Sequence, residues 1–131
     1  MKLFFILGNQ LFPIKNLENY KNDHTFFMAE DYELCTYEKH HKLKILLFLS
    51  SMRSYADNLR KNNFKINYSK IDSIDFKKDY LYKIKKIIKS KKVLELTSFE
   101  IEDKFFEKKI QNFAKKNHLV WNKIKSPMFI N

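Results

Sequence analysis

Two amide side chains that could bind a flat polar ligand follow the first apolar run of the chain. Asn9 and Gln10 come directly after residues 2–7, and their amides can both donate and accept hydrogen bonds at the edge of a heterocycle. Gly8 precedes them and lets the backbone turn. Because the chain has only one glycine, it contains neither a dinucleotide-binding fingerprint nor a Walker-type phosphate loop. The segment is therefore interpreted either as a ligand loop or as a plain polar turn.

Ionisable side chains that could do catalytic or metal chemistry follow the second apolar run: Glu30, Asp31, Glu33, Cys35, His40 and His41. The carboxylates could pair as acid and base or ligate a metal, but the lysine-rich composition favours a solvated acidic turn. Adjacent histidines on a helix point about 100° apart, which disfavours a shared zinc ion. The single cysteine cannot form an internal disulfide or supply the four thiolates of an iron–sulfur cluster. The sequence predicts no catalytic residue and no metal site in this chain.

A second set of candidate ligand-binding side chains opens the longest helical pattern. Apolar residues recur three and four apart from Thr36 to about Asn62, which predicts an amphipathic helix. Tyr37, His40 and His41 lie in its first turns, where backbone N–H groups and the helix dipole favour an anionic or electron-rich ligand. We therefore expect a cofactor with a polyol or carbonyl edge to fit against this helix start.

Short strand patterns alternate with helical patterns along the whole chain. Strands are predicted at 2–7, 25–28, 65–69, 92–96 and 119–124, and helices at 36–62, 79–89 and 100–116. Such alternation predicts an α/β fold: a three-layer, doubly wound, Rossmann-like domain with a five-stranded, mostly parallel sheet and helices on both faces. Ligands bind such sheets beyond the carboxyl ends of the strands, which points to the loops 8–13, 29–36 and 97–100.

The composition fits one soluble domain with a basic surface. The chain has 131 residues, 44% hydrophobic and 31% charged, which suits a single core, and its apolar runs are too short to span a membrane. The opening run 1–7 lacks a cleavage site and is interpreted as a strand, which predicts a cytoplasmic protein. The net charge of +11 invites nucleic-acid binding, but only Arg53 and Arg60 among 26 basic residues are arginine, the better reader of phosphate and guanine.

Several segments resemble the deoxyribodipyrimidine photolyase-related proteins, the bacterial iron–sulfur cryptochromes and photolyases. Residues 3–13 resemble the family's first strand and its Gly-Asp-Gln-Leu-x-Pro loop, with Asn9 in place of the aspartate, and 28–30 resemble the end of its second strand. Residues 36–45 and 51–53 are similar to its Tyr-x-x-His-His-Lys-x-Lys-Ile and Ala-Met-Arg segments, with unbroken spacing. Weaker similarities follow at 98–100 and 126–129.

The resemblance implies that residues 1–125 form an N-terminal α/β antenna domain and that 126–131 begin the connection to a C-terminal helical domain. Such an antenna domain binds a light-harvesting chromophore, 6,7-dimethyl-8-ribityllumazine, in support of flavin-dependent DNA photorepair or light sensing. The helical domain, in the same chain or as a separate partner, carries FAD, a [4Fe-4S] cluster and the DNA-binding surface, so this chain has no complete active site of its own. The resemblance implies a pocket lined by Gly8, Asn9, Gln10, Glu30, Tyr37, His40 and His41.

An alternative function from another class stays open. A stand-alone basic α/β adaptor would bind nucleic acid or a protein partner without a chromophore, and its binding to nucleic acid would fall steeply with salt. An independent small enzyme built on Cys35 and the histidines is the least favoured interpretation, because no recognisable motif positions a partner for the thiol.

Overall fold

Strands and helices follow one another in the order that the hydrophobic pattern predicts. The computed structural model describes residues 2–8, 10–30, 42–70 and 80–127. The strands within them are β1 (Lys2–Phe5), β2 (His24–Ala29), β3 (Ile66–Ser69), β4 (Glu95–Phe99) and β5 (Val120–Ile124). The helices are a 3-10 helix (Ile14–Tyr20) and the α-helices α1 (Lys42–Lys61), α2 (Tyr80–Lys91) and α3 (Lys104–Lys116). In this described part of the chain, no helix combines the length and the apolar character that crossing a membrane requires.

All five strands run parallel in one sheet, in the order β3-β2-β1-β4-β5. The chain builds outward from β1 through β2 to β3 and then crosses back to place β4 on the other side of β1. This reversal makes the gap between β1 and β4 the topological switch point, where the loops after neighbouring strands diverge. The predicted α/β class and the five-stranded Rossmann-like sheet are confirmed.

Helices cover both faces of the sheet, and the side chains of each strand alternate between the two cores. Leu3 and Phe5 of β1 enter a core beneath α2 and α3. Phe4 enters a second core beneath the 3-10 helix and α1, and Ile6 just beyond the strand joins it there. The apolar character of the first strand therefore follows from its burial on both faces.

Strand β4 lies later in the chain than the predicted 92–96, because its polar residues are buried and paired. Thr97 and Ser98 are within the strand, and both side chains are almost inaccessible. Thr97 Oγ1 lies 3.0 Å from Nε2 of His24, and Ser98 Oγ accepts a hydrogen bond of 3.0 Å from Trp121 Nε1. The expected ligand loop at 97–100 is thus mostly strand, and the loop itself begins only after β4 ends.

Helix α3 begins later than predicted because a side chain caps it. The helix starts at Lys104 rather than at Glu100. Asp103 Oδ1 accepts hydrogen bonds from the backbone N–H groups of Phe105 at 3.0 Å and Phe106 at 3.2 Å. Such a cap satisfies donors that have no partner inside the first helical turn. Residues 100–102 therefore belong to the loop that follows β4.

A polar cluster near the amino ends of the strands, hereafter the amino-end cluster, ties β2, β1 and β4 together. His24 is buried at the start of β2, with Nδ1 2.7 Å from Asp23 Oδ1 and Nε2 3.0 Å from Thr97 Oγ1. Because β1 lies between β2 and β4, the imidazole spans the central strand. Lys2 of β1 completes the cluster, with Nζ 3.6 Å from both Asp23 and Glu95.

Candidate ligand site at the carboxyl ends of the strands

Gln10 bridges the two loops that meet at the switch point. Its Nε2 donates a hydrogen bond of 2.8 Å to the backbone carbonyl of Glu100, the first residue after β4. The residue is only 6% exposed. Among the described residues, no donor reaches the buried Oε1 atom of Gln10. Since a buried acceptor without a donor is costly, this oxygen is a candidate acceptor for a ligand N–H or O–H group.

Gly8 is required for close packing rather than for an unusual backbone angle. Its φ lies outside the left-handed region that favours glycine. A Cβ atom at this position would lie 2.5 Å from Cζ of Phe48 and 3.1 Å from Sδ of Met52. Real Cβ atoms do not approach another heavy atom to 2.5 Å, so any larger residue must displace the Phe48 ring. The absence of a side chain thus lets the loop after β1 lie directly against α1.

Glu30 stands directly after β2 in a buried ion pair. Both carboxylate oxygens are bound by one guanidinium: Arg53 Nε donates to Oε2 at 2.6 Å and Nη2 donates to Oε1 at 2.8 Å. Tyr68 of β3 donates a further hydrogen bond of 2.6 Å to Oε2. The interpretation of Glu30 as part of a solvated acidic turn is wrong, because its side chain is fully buried. Glu30, Arg53 and Tyr68 are called the Glu30 cluster below.

The Glu30 cluster fixes the protonation states of Arg53 and Tyr68. Hydrogen bonds to the carboxylate raise the pKa of the Arg53 guanidinium above its already high value. Burial, and then the hydrogen bond to Glu30, raises the pKa of the Tyr68 phenol far above its usual range. Arg53 therefore stays a cation and Tyr68 stays a donor throughout the physiological pH range. The cluster is suited to positioning a charge and is poorly suited to acid–base catalysis.

Arg53 connects this buried carboxylate to the surface. Its side chain is 46% exposed, whereas that of Glu30 is 0% exposed. Because Nε and Nη2 face Glu30, the plane of the guanidinium is fixed and its remaining edge points away from the carboxylate. Lys83 of α2 reaches the same strand end from the other face of the sheet, with its buried Nζ 3.5 Å from the Glu30 carbonyl oxygen. The edge thus carries positive charge suited to a carbonyl or anionic group.

The structure brings three of the predicted pocket residues, Gly8, Gln10 and Glu30, to one edge of the sheet, after the neighbouring strands β1 and β2. The other four, Asn9, Tyr37, His40 and His41, lie outside the described residues, as do Asp31, Glu33 and Cys35. The chromophore pocket therefore stays a prediction. Within the described ranges, no group of three or more His, Cys, Asp or Glu side chains is arranged to hold a metal ion.

Sequence reasoning did not assign Arg53 or Tyr68 to this edge. A signal for Arg53 was present, since it is one of only two arginines and ends the Ser-Met-Arg segment at 51–53. No comparable signal marks Tyr68, because aromatic residues are common in strands whatever their role.

Comparison with known proteins agrees with the motifs. The family model described as deoxyribodipyrimidine photo-lyase-related protein matches residues 4–131. The chain is also similar to a (6-4) photolyase of Agrobacterium fabrum (strain C58 / ATCC 33970), with 34% identity over 89 residues, or 66% of this chain. That match covers 18% of the photolyase's own length, so the chain corresponds to a small part of that protein. Because the family model matches nearly the whole chain, the chain belongs to the deoxyribodipyrimidine photo-lyase-related protein family.

Proposed function

We propose that this chain is the N-terminal α/β domain of a photolyase-related protein and holds a light-harvesting chromophore, 6,7-dimethyl-8-ribityllumazine, beyond the carboxyl ends of β1 and β2. When bound, this ring supplies light absorption and transfer of excitation energy to a flavin held elsewhere. The chain's own residues bind the ring, fix its orientation and keep water away from it. No covalent bond is made or broken in this domain, so it needs no catalytic residue.

The buried carbonyl oxygen of Gln10 is the observation that carries this proposal. Gln10 Nε2 is committed to Glu100, which fixes the amide in place and leaves Oε1 without a donor among the described residues. A lumazine ring carries an imide N–H, and its ribityl chain carries hydroxyl groups, so the ligand can supply the donor. The position beside the switch point is where open parallel sheets bind their ligands.

The Glu30 cluster supports the same site from the β2 side. The side chain of Arg53 is 46% exposed, and the guanidinium N–H groups that do not face Glu30 can donate to a ring carbonyl or to a ribityl hydroxyl. In this proposal Glu30 is a positioning residue, which holds the guanidinium plane while its own oxygens stay bound to Arg53 and Tyr68. Asn9, Tyr37, His40 and His41 complete the proposed lining.

The remaining cofactors belong, in this proposal, to a C-terminal helical domain in the same protein or in a partner chain. That domain would hold FAD and a [4Fe-4S] cluster and would make the lesion-specific contacts with DNA in the cytoplasm. The (6-4) photolyase is much longer than its matched region, which leaves room for such a domain. Leu46 and Leu47 of α1, each 61% exposed, supply apolar surface for it.

The pocket is tested by mixing the purified 131-residue chain with 6,7-dimethyl-8-ribityllumazine and following the fluorescence anisotropy of the ligand. We expect saturable binding. Gln10→Leu removes the acceptor from a buried site and should weaken binding about tenfold or more, since one buried hydrogen bond is worth about 1–3 kcal/mol. Gln111→Leu is the matched control, because Gln111 is the other glutamine and is exposed on α3.

Circular dichroism melts of both variants separate a loss of binding from a loss of folding. If Gln10→Leu melts near the unmodified chain yet binds the lumazine equally well, Gln10 does not touch the chromophore. If the unmodified, folded chain gives no anisotropy change at all, the antenna function itself is wrong.

A further inference from the structure

Lysines dominate helices α2 and α3. The 12 residues of α2 include five lysines and no acidic residue, and the 13 residues of α3 include five lysines and Glu107 as the one acidic residue. Lys83 is buried, and the other lysines of the two helices are exposed. The positive charge of this layer is therefore directed to solvent.

Both helices lie on the same side of the sheet. Ile84 of α2 and Ile110 of α3 belong to one core, and the rings of Tyr80 and Phe106, 5.7 Å apart, join the two helices. Each helix turns its apolar stripe inward, so the lysines on its outer side recur three and four residues apart. This surface, called the lysine face below, comprises Lys85, Lys86, Lys89, Lys104, Lys108, Lys109, Lys115 and Lys116.

Among the residues that the structure describes, few acidic groups neutralise the lysine face. Lys104 pairs with Glu107 at 3.6 Å, and the ammonium of Lys109 lies 4.9 Å from the centre of the Phe105 ring. Across the described ranges, no acidic side chain pairs with Lys85, Lys89, Lys108 or Lys115. Like charges held on two rigid helices repel one another, and a polyanion laid across them relieves that repulsion by releasing its counterions.

We infer that the lysine face binds the sugar–phosphate backbone of duplex DNA without reading its sequence. Lysine contacts phosphate as a point charge, whereas both arginines, the better base readers, lie on α1 on the other side of the sheet. Membrane-surface helices insert an apolar face, but the apolar stripes of α2 and α3 are packed in the core, and the large apolar side chains that these helices expose are the separate rings of Tyr82 and Phe105. The inference is independent of the chromophore pocket, which lies at the carboxyl ends of the strands.

Two variants of equal charge test the location of the contact. K85Q/K89Q/K108Q/K115Q removes four lysines from the lysine face, and K15Q/K61Q/K65Q/K70Q removes four exposed lysines from elsewhere. Each lowers the net charge of +11 by the same amount. Binding of a fluorescein-labelled duplex of about 20 base pairs is followed by anisotropy at several salt concentrations, for two unrelated duplex sequences.

We expect the unmodified chain to bind both duplexes alike, with an affinity that falls steeply with salt. The lysine-face variant should bind about tenfold or more weakly at low salt, with a slope of log K against log salt smaller by about 0.9 for each phosphate that it no longer neutralises. The control variant should keep most of the affinity. Equal weakening in both variants would show that only net charge matters, and would overturn the inference. So would binding of anionic vesicles containing phosphatidylserine and phosphatidylcholine in preference to the duplex.

Discussion

The amino-end cluster and the Glu30 cluster lie at opposite ends of the same sheet, and they bury opposite partners of an acid–base pair. At the amino end the imidazole of His24 is buried and its carboxylate partner Asp23 is 57% exposed. At the carboxyl end the carboxylate of Glu30 is buried and the guanidinium of Arg53 is 46% exposed. The sheet therefore exposes the carboxylate of Asp23 at its amino end and the guanidinium of Arg53 at its carboxyl end.

The two ends differ in what happens when the exposed partner is lost. At the amino end, loss of Asp23 removes one hydrogen-bond partner from Nδ1 of His24 and leaves the contact of Nε2 with Thr97 in place. A buried carboxylate that loses its cation must either stay charged in a poorly solvated place or take up a proton against its ordinary acidity. We therefore expect the free energy of unfolding to fall far more when the exposed partner is removed at the carboxyl end than when it is removed at the amino end.

Arg53→Ala should give the largest effect, because it leaves the Glu30 carboxylate buried without a cation. We expect a loss of about 3 kcal/mol in the free energy of unfolding, the low end of the range for broken buried pairs, since water can reach the half-exposed Arg53 site. Arg60→Ala is the matched control: it lies on the same helix, but pairs with Asp57 on the surface at 3.1 Å. That exposed pair should contribute less than about 1 kcal/mol. Urea denaturation at neutral pH measures both.

A similar cost for the two arginine variants would show that water reaches Glu30 freely, and the contrast between the two ends would then fail. Arg53→Lys sharpens the same point. Lysine keeps the charge but cannot bind both oxygens in one plane, so it should recover part of the stability and not all of it.

Thr97→Val, the next largest effect, tests the inner contact of the amino-end cluster. Valine has nearly the same shape as threonine but leaves Nε2 of His24 without its partner 3.0 Å away. We expect a loss of about 1–2 kcal/mol, the cost of one unsatisfied buried polar atom. In a double-mutant cycle with His24→Phe, most of that loss should disappear, because the unsatisfied nitrogen is no longer present. A cost above that of Arg53→Ala would reverse the proposed ranking.

Periodicity predicted the parts of the fold that depend on local apolar patterns. The runs that form β1 and β2, and the stripe of α1, place their residues in the two cores as expected. Strand β4 was placed too early because Thr97 and Ser98 look like loop residues. They are buried because His24 and Trp121 lie beside them, and both partners are distant in sequence. Local patterns do not contain such contacts.

The candidate site shows the same limit. The position of Gln10 beyond the carboxyl end of β1 could be predicted, because that inference needs only the end of a strand, and its role in binding a ligand stays a prediction. Its bond to Glu100, 90 positions away, follows from the strand order and could not be read from spacing. The burial of Glu30 likewise depends on Arg53 and Tyr68, which three separate elements bring together.

Tyr55→Phe should have a smaller effect that appears at high pH. The Tyr55 hydroxyl donates to the Phe12 carbonyl at 2.6 Å and holds the loop after β1, and burial raises the pKa of Tyr55 to about 12. Because the phenol ionises near pH 10 in the unfolded chain, its contribution to stability is complete below about pH 10 and is lost as the pH rises towards about 12. We expect Tyr55→Phe to cost about 1 kcal/mol at neutral pH and progressively less above about pH 10.

Ultraviolet absorbance of the phenolate checks the ionisation directly, since the variant should lack one tyrosine that titrates late in the unmodified chain. Tyr82→Phe is the control, because Tyr82 is 47% exposed on α2. If the ionisation step near pH 12 persists in Tyr55→Phe, that step does not belong to Tyr55.

Asp23→Asn should give the smallest effect, and its dependence on pH decides whether the acid at the amino end matters at all. The hydrogen bond with His24 lowers the pKa of Asp23 below its ordinary value of 3.8. Its contribution is therefore present above pH 3.8 and is lost as the pH falls below that value. Urea denaturation should show Asp23→Asn slightly less stable than the unmodified chain at mildly acidic pH, with the difference shrinking below pH 3.8. Asp57→Asn is the exposed control. If Asp23→Asn instead costs as much as Arg53→Ala, then His24 depends on its exposed partner as strongly as Glu30 does, and the contrast between the two ends fails.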